Sequence, residues 1–175
     1  MIVFSPSSQK VLIMRLLLVL LFSILCLSSM VRADGLLLDS GPGFYKSNNS
    51  EVVFLRYQMD SAPLFGFDSY YDFALGTWNG RNHNDAMIIT KGIRQGLSEQ
   101  MYFDFEAGGA YLERTTDNLG TRLQFAFRFA LGVKVGKFDI ALGYNHFSDG
   151  KGIFQWTSKS NLSENFITLQ LGYLF

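Results

Sequence analysis

The chain has 175 residues, with 15 basic and 15 acidic side chains and a single cysteine, Cys26. This charge balance gives no sign of a nucleic-acid partner, since such proteins carry a strongly basic surface. Because Cys26 falls in the N-terminal leader described next, the mature chain has no thiol. Disulfides, thiolate catalysis and cysteine metal sites are therefore excluded.

The first 33 residues are typical of a secretory signal peptide. Lys10 and Arg15 precede an apolar run over residues 16–27, and small or modest side chains lead to Ala33. The run is too short for a membrane-spanning helix. We predict cleavage after Ala33, with Met14 as an alternative start of translation.

Residues 34–175 are predicted to form a single domain. These 142 residues carry 12 basic and 15 acidic side chains, and 25 of them are Phe, Tyr or Trp. That aromatic content is high for a soluble domain and is typical of a membrane barrel with aromatic girdles.

Alternation of apolar residues with small or polar ones predicts eight strands. The alternation is clearest over residues 101–111 and 122–135, whereas the fourth segment alternates poorly and the first contains Pro42. Most segments have about the nine to eleven residues that a tilted membrane strand needs. The predicted fold class is all-β, an eight-stranded antiparallel transmembrane β-barrel. The strands are predicted at 36–46, 51–59, 68–79, 84–95, 100–113, 120–135, 138–148 and 164–175.

The small and polar face of each strand is predicted to line the lumen. An eight-stranded barrel is just wide enough for side chains to fill. We therefore predict that Asp104 and Glu106 form ion pairs inside the barrel with Arg122, Arg128 and Lys134. We interpret these charges as structural.

The connections and the C-terminus indicate the compartment. Short turns at 96–99 and 135–137 suit the periplasmic side, and the 149–163 loop falls on the outer side. The last strand ends in Phe175, which resembles the C-terminal aromatic signature of outer-membrane barrels. Together with the leader, this predicts the outer membrane of a Gram-negative cell.

Motifs of soluble enzymes are absent from the sequence. There is no phosphate loop, dinucleotide fingerprint or Gly-x-Ser-x-Gly elbow. The two histidines, His83 and His146, have no carboxylates at metal-site spacing, and His83 falls in a polar loop. We expect neither a cofactor nor a metal.

His146 and Ser148 are the remaining candidates for chemistry. Residues two apart share one face of a strand and lie about 6.6 Å apart at Cα, so the imidazole can reach the hydroxyl. A serine nucleophile needs such a base, and the base needs an orienting group. Either Glu164 or Asn165, at the start of the last strand, can supply the orienting oxygen. The alternative is that these polar residues only meet headgroups and water, in a non-catalytic barrel of adhesin-like or structural type.

A resemblance favours the enzyme. The stretch Gly143-Tyr-Asn-His-Phe-Ser148, the following loop, and residues 161–166 leading to Phe175 resemble the end of the lipid A 3-O-deacylases of the PagL type, also called outer-membrane acyloxyacyl hydrolases. Their pattern is His-x-Ser-Asn-Ala, then Asn-x-Gly-x-acid opening the last strand. Residues 107–111, 120–129 and 132–136 resemble the glycine and aromatic spacing of the same family.

The resemblance implies an eight-stranded barrel with a Ser-His-Glu triad on its lipid-facing wall. That triad cleaves the ester-linked acyl chain at the 3-position of lipid A. Ser148 would be the nucleophile and His146 the general base. The implied partner is lipid A, or lipopolysaccharide, of the outer leaflet, and the sequence leaves open whether the barrel forms a homo-oligomer.

The chain departs from the family pattern at three places. Asp149 stands where the family has the Asn that helps stabilise the oxyanion, and a carboxylate donates no hydrogen bond unless protonated. Gly150 replaces the next residue, an alanine, and the loop that follows is longer. Counting from the Asn161 motif or from the C-terminus puts Asn165 at the position of the acid, while a bulge would be needed to turn Glu164 outward.

Overall fold

The computed structural model describes residues 35–44, 47, 49–79, 83–149 and 163–175. The predicted leader and residues 150–162 of the predicted outer loop lie outside these ranges. The described strands all belong to one compact unit, Ala33–Phe175. They are β1 Gly35–Pro42, β2 Glu51–Leu64, β3 Phe67–Asn79, β4 Asn84–Gly96, β5 Met101–Leu112, β6 Leu123–Val135, β7 Phe138–Ser148 and β8 Glu164–Leu174.

Each strand pairs antiparallel with the next, and β8 pairs with β1 to close the sheet into a barrel. Closure leaves no unpaired strand edge, which is the condition for a sheet to cross a membrane. The predicted eight-stranded antiparallel barrel is confirmed. Among the described residues, no helix has the length and apolar character needed to cross a bilayer.

The strand ends differ from the prediction where local chemistry interrupts the pattern. β1 stops at Pro42, and β2 runs on to Leu64 although residues 60–63 have the composition of a turn. The β2–β3 register shifts between Ser61 and Leu64, around Pro63, which has no N–H for the ladder. β6 begins at Leu123, three residues later than predicted.

Burial alternates along most of each strand, including β4, which alternates poorly in sequence. The lumen side of β4 holds Asn84, Ala86, Ile88, Thr90 and Gly92. Because this inner face mixes polar, small and apolar residues, hydrophobicity alone hides its period of two. The opposite, outer face of the barrel is apolar, with exposed side chains such as Leu38, Leu55, Ile89, Leu131, Leu142 and Leu169.

The middle of the lumen is filled by a buried ion network. Glu106 accepts hydrogen bonds from Arg56 at 2.7 Å and from Arg128 at 2.9 Å, and Arg56 also pairs with Asp72 at 3.2 Å. The predicted pairing of Glu106 with Arg128 is confirmed. The prediction for Arg122 was wrong, because Arg122 is exposed and precedes the first residue of β6.

The other predicted charges have different partners. Asp104 binds Arg94, at 2.8 and 2.7 Å, on the neighbouring strand β4. Lys134 lies over the ring of Tyr102, 5.7 Å from its centroid. Arg56 on β2 and Arg94 on β4 are therefore lumen cations that the sequence pattern did not single out.

An aromatic cluster fills the lumen above this network, towards the end where β7 finishes and β8 starts. The rings of Phe54, Trp78, Phe147 and Phe166 pack with centroids 5.5 to 6.4 Å apart, and all four side chains are buried. Phe147 and Phe166 supply the inner side of the sheet where β7 and β8 pair. This part of the sheet therefore rests on a solid apolar core.

Short connections lie at one end of the barrel and long ones at the other. Gly136 and Lys137 alone join β6 to β7, and Gly136 has φ +61°, which a glycine adopts without strain. The longer connections, after β1, β5 and β7, lie at the opposite end. The last residues of β7 reach that long-loop end.

Candidate functional site on the outer wall

His146 and Ser148 lie on the outer face of β7, and Phe147 between them points into the lumen. Both outward side chains are half-buried, whereas Phe147 is 2% exposed. Phe147 is held in the aromatic cluster, so its burial decides which face of β7 the two polar residues occupy. An imidazole and a hydroxyl therefore share the wall that faces away from the lumen.

His146 forms a hydrogen bond to Asn165. The two residues are directly opposite each other in the β7–β8 pair, and His146 Nδ1 lies 2.8 Å from Asn165 Oδ1. An amide oxygen only accepts hydrogen bonds, so Nδ1 carries the proton in this arrangement. Nε2 of the neutral ring then has a free lone pair, as a general base requires.

Two hydroxyl groups hold the Asn165 amide. The Tyr144 hydroxyl donates to Oδ1 at 2.8 Å, and Nδ2 donates to Ser163 Oγ at 3.1 Å. Tyr144 precedes His146 by two residues on the same face of β7. Neither Tyr144 nor Ser163 is among the site residues predicted from the sequence, although the face that Tyr144 shares with His146 makes Tyr144 identifiable.

Glu164 lies on the other side of the sheet. Its side chain is fully buried, opposite Phe147 in the β7–β8 register, and it accepts hydrogen bonds from Ser47 and from Asn118 Nδ2, the latter at 2.8 Å. The register between β7 and β8 is continuous over Phe138–Phe147, with no bulge to turn Glu164 outward. Of the two orienting residues that the sequence left open, Asn165 is the one that contacts His146.

The backbone before β8 agrees with this assignment. Ser163 has φ +59°, a left-handed conformation that favours glycine. In the Asn-x-Gly-x-acid pattern that begins at Asn161, Ser163 occupies the glycine position and Asn165 the acid position. Ser163 thus adopts the left-handed conformation expected at the glycine position, two residues before Asn165, which contacts His146.

The remaining candidates are Ser148, Asp149 and Gly150. Among the described residues, the structure gives no hydrogen bond between Ser148 Oγ and His146. Asp149 follows the end of β7 and is buried, with 7% exposure, and Gly150 lies outside the described residues.

Aromatic side chains line the outer wall around His146. The His146 ring centre lies 6.2 Å from that of Phe127 on β6 and 6.4 Å from that of Tyr144. Phe129 and Phe44 each pack on Tyr144, at 6.4 and 5.7 Å. These rings form an apolar surface beside His146 and Ser148, and such a surface is suited to bind a hydrocarbon chain.

No group of three or more His, Cys, Asp or Glu side chains with metal-site geometry occurs in the described part of the chain. The site is thus an imidazole, an amide and a hydroxyl on an apolar wall. This arrangement can perform proton transfer and nucleophilic attack on a lipid that reaches the wall from the membrane.

The family model for lipid A 3-O-deacylase (PagL) matches residues 51–174, which include seven of the eight strands together with His146, Ser148 and Asn165. The chain belongs to the lipid A 3-O-deacylase (PagL) family. Membership supports lipid A 3-O-deacylation as the activity and the Gram-negative outer membrane as the location. No curated protein matches the chain at a significant level.

Solved structures show the same fold. The crystal structure of the outer membrane enzyme PagL matches with a TM-score of 0.60 and 18% identity, covering 81% of this chain and 99% of that one. A de novo designed transmembrane β-barrel matches with a TM-score of 0.59 and 12% identity, covering 84% and 98%. The Yersinia pestis outer membrane protein Ail matches with a TM-score of 0.50 and 12% identity, covering 81% and 99%. Because designed and natural barrels match alike, these similarities establish the fold, and the family match distinguishes the deacylases.

Proposed function

We propose that the chain is an outer-membrane serine esterase that removes the ester-linked acyl chain from the 3-position of lipid A. Ser148 is the nucleophile, His146 the general base and Asn165 the orienting residue. The observation that carries this assignment is the 2.8 Å contact between His146 Nδ1 and Asn165 Oδ1, on the same outer wall as Ser148. The family match supplies the substrate class.

The reaction follows from the protonation of the imidazole. Nε2 of His146 takes the proton of the Ser148 hydroxyl as Oγ attacks the ester carbonyl of lipid A. The tetrahedral intermediate then loses the 3-oxygen of the sugar, which receives that proton from Nε2. Water, activated by the same nitrogen, hydrolyses the acyl-Ser148 ester and releases the fatty acid.

The orientation of the site matches a lipid substrate. The leucine-rich outer wall of the barrel lies against acyl chains, and the rings of Phe127 and Tyr144 flank His146. A lipid A molecule of the outer leaflet can therefore present its ester at β7 without leaving the membrane. The substrate reaches the site by lateral diffusion, and the filled lumen has no part in access.

Two of the departures from the family pattern bear directly on the rate of this reaction. Asn165 orients the imidazole without the charge of an acid, so it contributes less to the stability of the imidazolium. Asp149 stands at the oxyanion position, where a carboxylate opposes the developing negative charge. We therefore expect turnover to be slow, with the same bond cleaved.

Mass spectrometry of lipid A from cells expressing the chain tests the proposal. We expect the loss of one 3-hydroxyacyl group with the wild type and none with Ser148→Ala or His146→Ala. All three proteins must be recovered as folded barrels from the outer membrane. Deacylation that persists in Ser148→Ala would exclude the serine mechanism.

A non-catalytic barrel is the second candidate. It is favoured by Asp149 at the oxyanion position and by the lack of a hydrogen bond between Ser148 and His146 among the described residues. Unchanged lipid A with a correctly inserted wild-type barrel, and also with the Asp149→Asn variant, would favour an adhesin-like or structural role.

We also propose that the chain reaches the membrane by cleavage of a signal peptide after Ala33. The intact mass of the barrel purified from the outer membrane should then correspond to residues 34–175. A mass that retains any of residues 1–33 would contradict the cleavage site.

A further inference from the structure

Glu164 is a buried carboxylate beside the site that has no part in the proposed reaction. It is the first residue of β8, it is 0% exposed, and Asn118 Nδ2 donates to its Oε1 at 2.8 Å. Its Oε2 accepts a hydrogen bond from the Ser47 hydroxyl. A carboxylate in an apolar core is costly unless such donors hold it, so its position calls for an explanation.

Ser47 connects this carboxylate to Asn165. An ionised carboxylate only accepts, so the Ser47 hydroxyl must donate to Glu164, and its oxygen is left to accept from elsewhere. The backbone N–H of Asn165 donates to that oxygen at 2.8 Å. The chain of hydrogen bonds therefore has one direction, from Asn165 N–H through Ser47 to Glu164.

The segment after β1 also binds the other backbone group of Asn165. Phe44 N–H donates to the Asn165 carbonyl at 3.0 Å, and Gly43 bridges to Phe166. A Cβ at Gly43 would overlap Ser47, so this close approach needs glycine.

The direction of these bonds affects the spacing between Asn165 and His146. Both backbone groups of Asn165 bond away from β7, so the His146–Asn165 pair is of the non-hydrogen-bonded kind. In that kind of antiparallel pair the facing side chains lie closer together. The register of β7 and β8 thus brings the amide close to the imidazole, and the bonds to Ser47 and Phe44 hold the Asn165 backbone in place from the side opposite β7.

We infer that Glu164 is a positioning residue that, through Ser47, holds Asn165 against His146. This inference rests on the proposed function. It means that a carboxylate in the lumen positions a residue used in the reaction on the outer wall. Glu164 touches neither the ester nor the reacting atoms. It fixes the start of β8, from which the orienting amide projects.

Steady-state kinetics in detergent micelles containing lipid A test the inference. Glu164→Gln and Ser47→Ala should each lower kcat by roughly tenfold or more with KM little changed, because a displaced orienting group slows the chemical step. Ser47→Thr retains the hydroxyl and should recover most of the rate. The double variant should be no slower than the slower single variant, since both residues act in one chain.

A matched control separates positioning from general loss of stability. Asp139→Asn changes another buried lumen carboxylate, near the opposite end of β7, and should leave kcat within about twofold of the wild type. Heat-dependent gel mobility verifies that each barrel is folded. A folded Glu164→Gln barrel with the kcat of the wild type would overturn the inference.

A second measurement does not depend on activity. In a His83→Gln background, ¹⁵N NMR of the labelled chain observes His146 as the single imidazole. The Nδ1–H tautomer should dominate in the parent and give way to a tautomer mixture in Glu164→Gln. If the tautomer is unchanged in Glu164→Gln, the inference is overturned, whether or not the wild type acts on lipid A. If the wild type is inactive but the tautomer shifts in Glu164→Gln, only the proposed function has failed.

Discussion

The Nδ1 atom of His146 lies 2.8 Å from Oδ1 of Asn165, directly across the β7–β8 pair. An amide therefore occupies the place that a carboxylate takes in the family pattern. Because the two side chains differ by one charge and have the same shape, substitution at residue 165 can measure what the orienting residue of the proposed triad contributes.

Asn165→Asp should raise kcat for lipid A deacylation by about tenfold, because a carboxylate bonds more strongly to an imidazolium than an amide does. Asp has the shape of Asn, so the contact distance need not change. Asn165→Ala is the matched variant, and it should lower kcat because it removes the acceptor. Rates are measured from fatty acid released in micelles. A fall in kcat with Asp would contradict a charge-limited site.

Asp149→Asn should accelerate the proposed reaction by at least about tenfold, since one oxyanion donor is worth more than that in known serine hydrolases. Asp149→Ala removes the negative charge without adding a donor. If the two variants are equally fast, then removal of the charge, and not hydrogen-bond donation, explains the gain. If neither is faster than the wild type, residue 149 does not face the oxyanion.

The aromatic cluster behind the site should dominate the stability of this end of the barrel. Phe147→Ala leaves a cavity among Phe54, Trp78 and Phe166 and should lower the free energy of unfolding by about 3 to 5 kcal/mol. Phe129→Ala is the control on the outer face, where acyl chains or detergent refill the space. Urea unfolding in lipid vesicles measures both, and equal losses would contradict the packing argument.

Arg56 should be indispensable to the ion network in the lumen. Arg56→Met leaves Asp72 and Glu106 without one of their cations and should cost about 3 to 5 kcal/mol of unfolding free energy. Arg122→Met, at an exposed site outside β6, should change stability by less than about 0.5 kcal/mol. The same urea titration compares them, and a tolerated Arg56→Met would show that the network is not needed for folding.

The left-handed turn before β8 should restrict residue 163. Ser163→Val places a β-branched side chain at φ +59° and should destabilise the barrel by about 1 to 2 kcal/mol. Ser163→Gly removes the strain but also the hydroxyl that binds Asn165 Nδ2, so it should be tolerated in folding. Unfolding midpoints decide between the two, and an equally stable Val variant would contradict the strained conformation.

Much of the architecture is present in local patterns of the sequence. A membrane barrel repeats one rule, with alternate residues facing lipid and lumen, so a period of two suffices for the strand number and for the shared face of His146 and Ser148. The pattern is weak along β4, where polar, small and apolar residues mix on the inner face, and it misses residues 60–64 of β2 around Pro63, where turn-like residues conceal a paired strand. It also fails for Arg122, because alternation does not show where a strand begins.

Which side chains contact each other between different strands is determined only by the tertiary structure. The sequence alone determined the strand count, the polar lumen, and Ser148 and His146 as the pair on the outer wall. It left both Glu164 and Asn165 open as the orienting residue, since strand parity favours Asn165 but does not exclude a bulge that turns Glu164 outward. The continuous β7–β8 register and the bonds from Ser47 and Phe44 place Asn165 outside and Glu164 inside. The bonds from Ser47 and Phe44 join residues more than a hundred positions apart. At that separation the closure of the sheet, and not a local pattern, determines which groups meet.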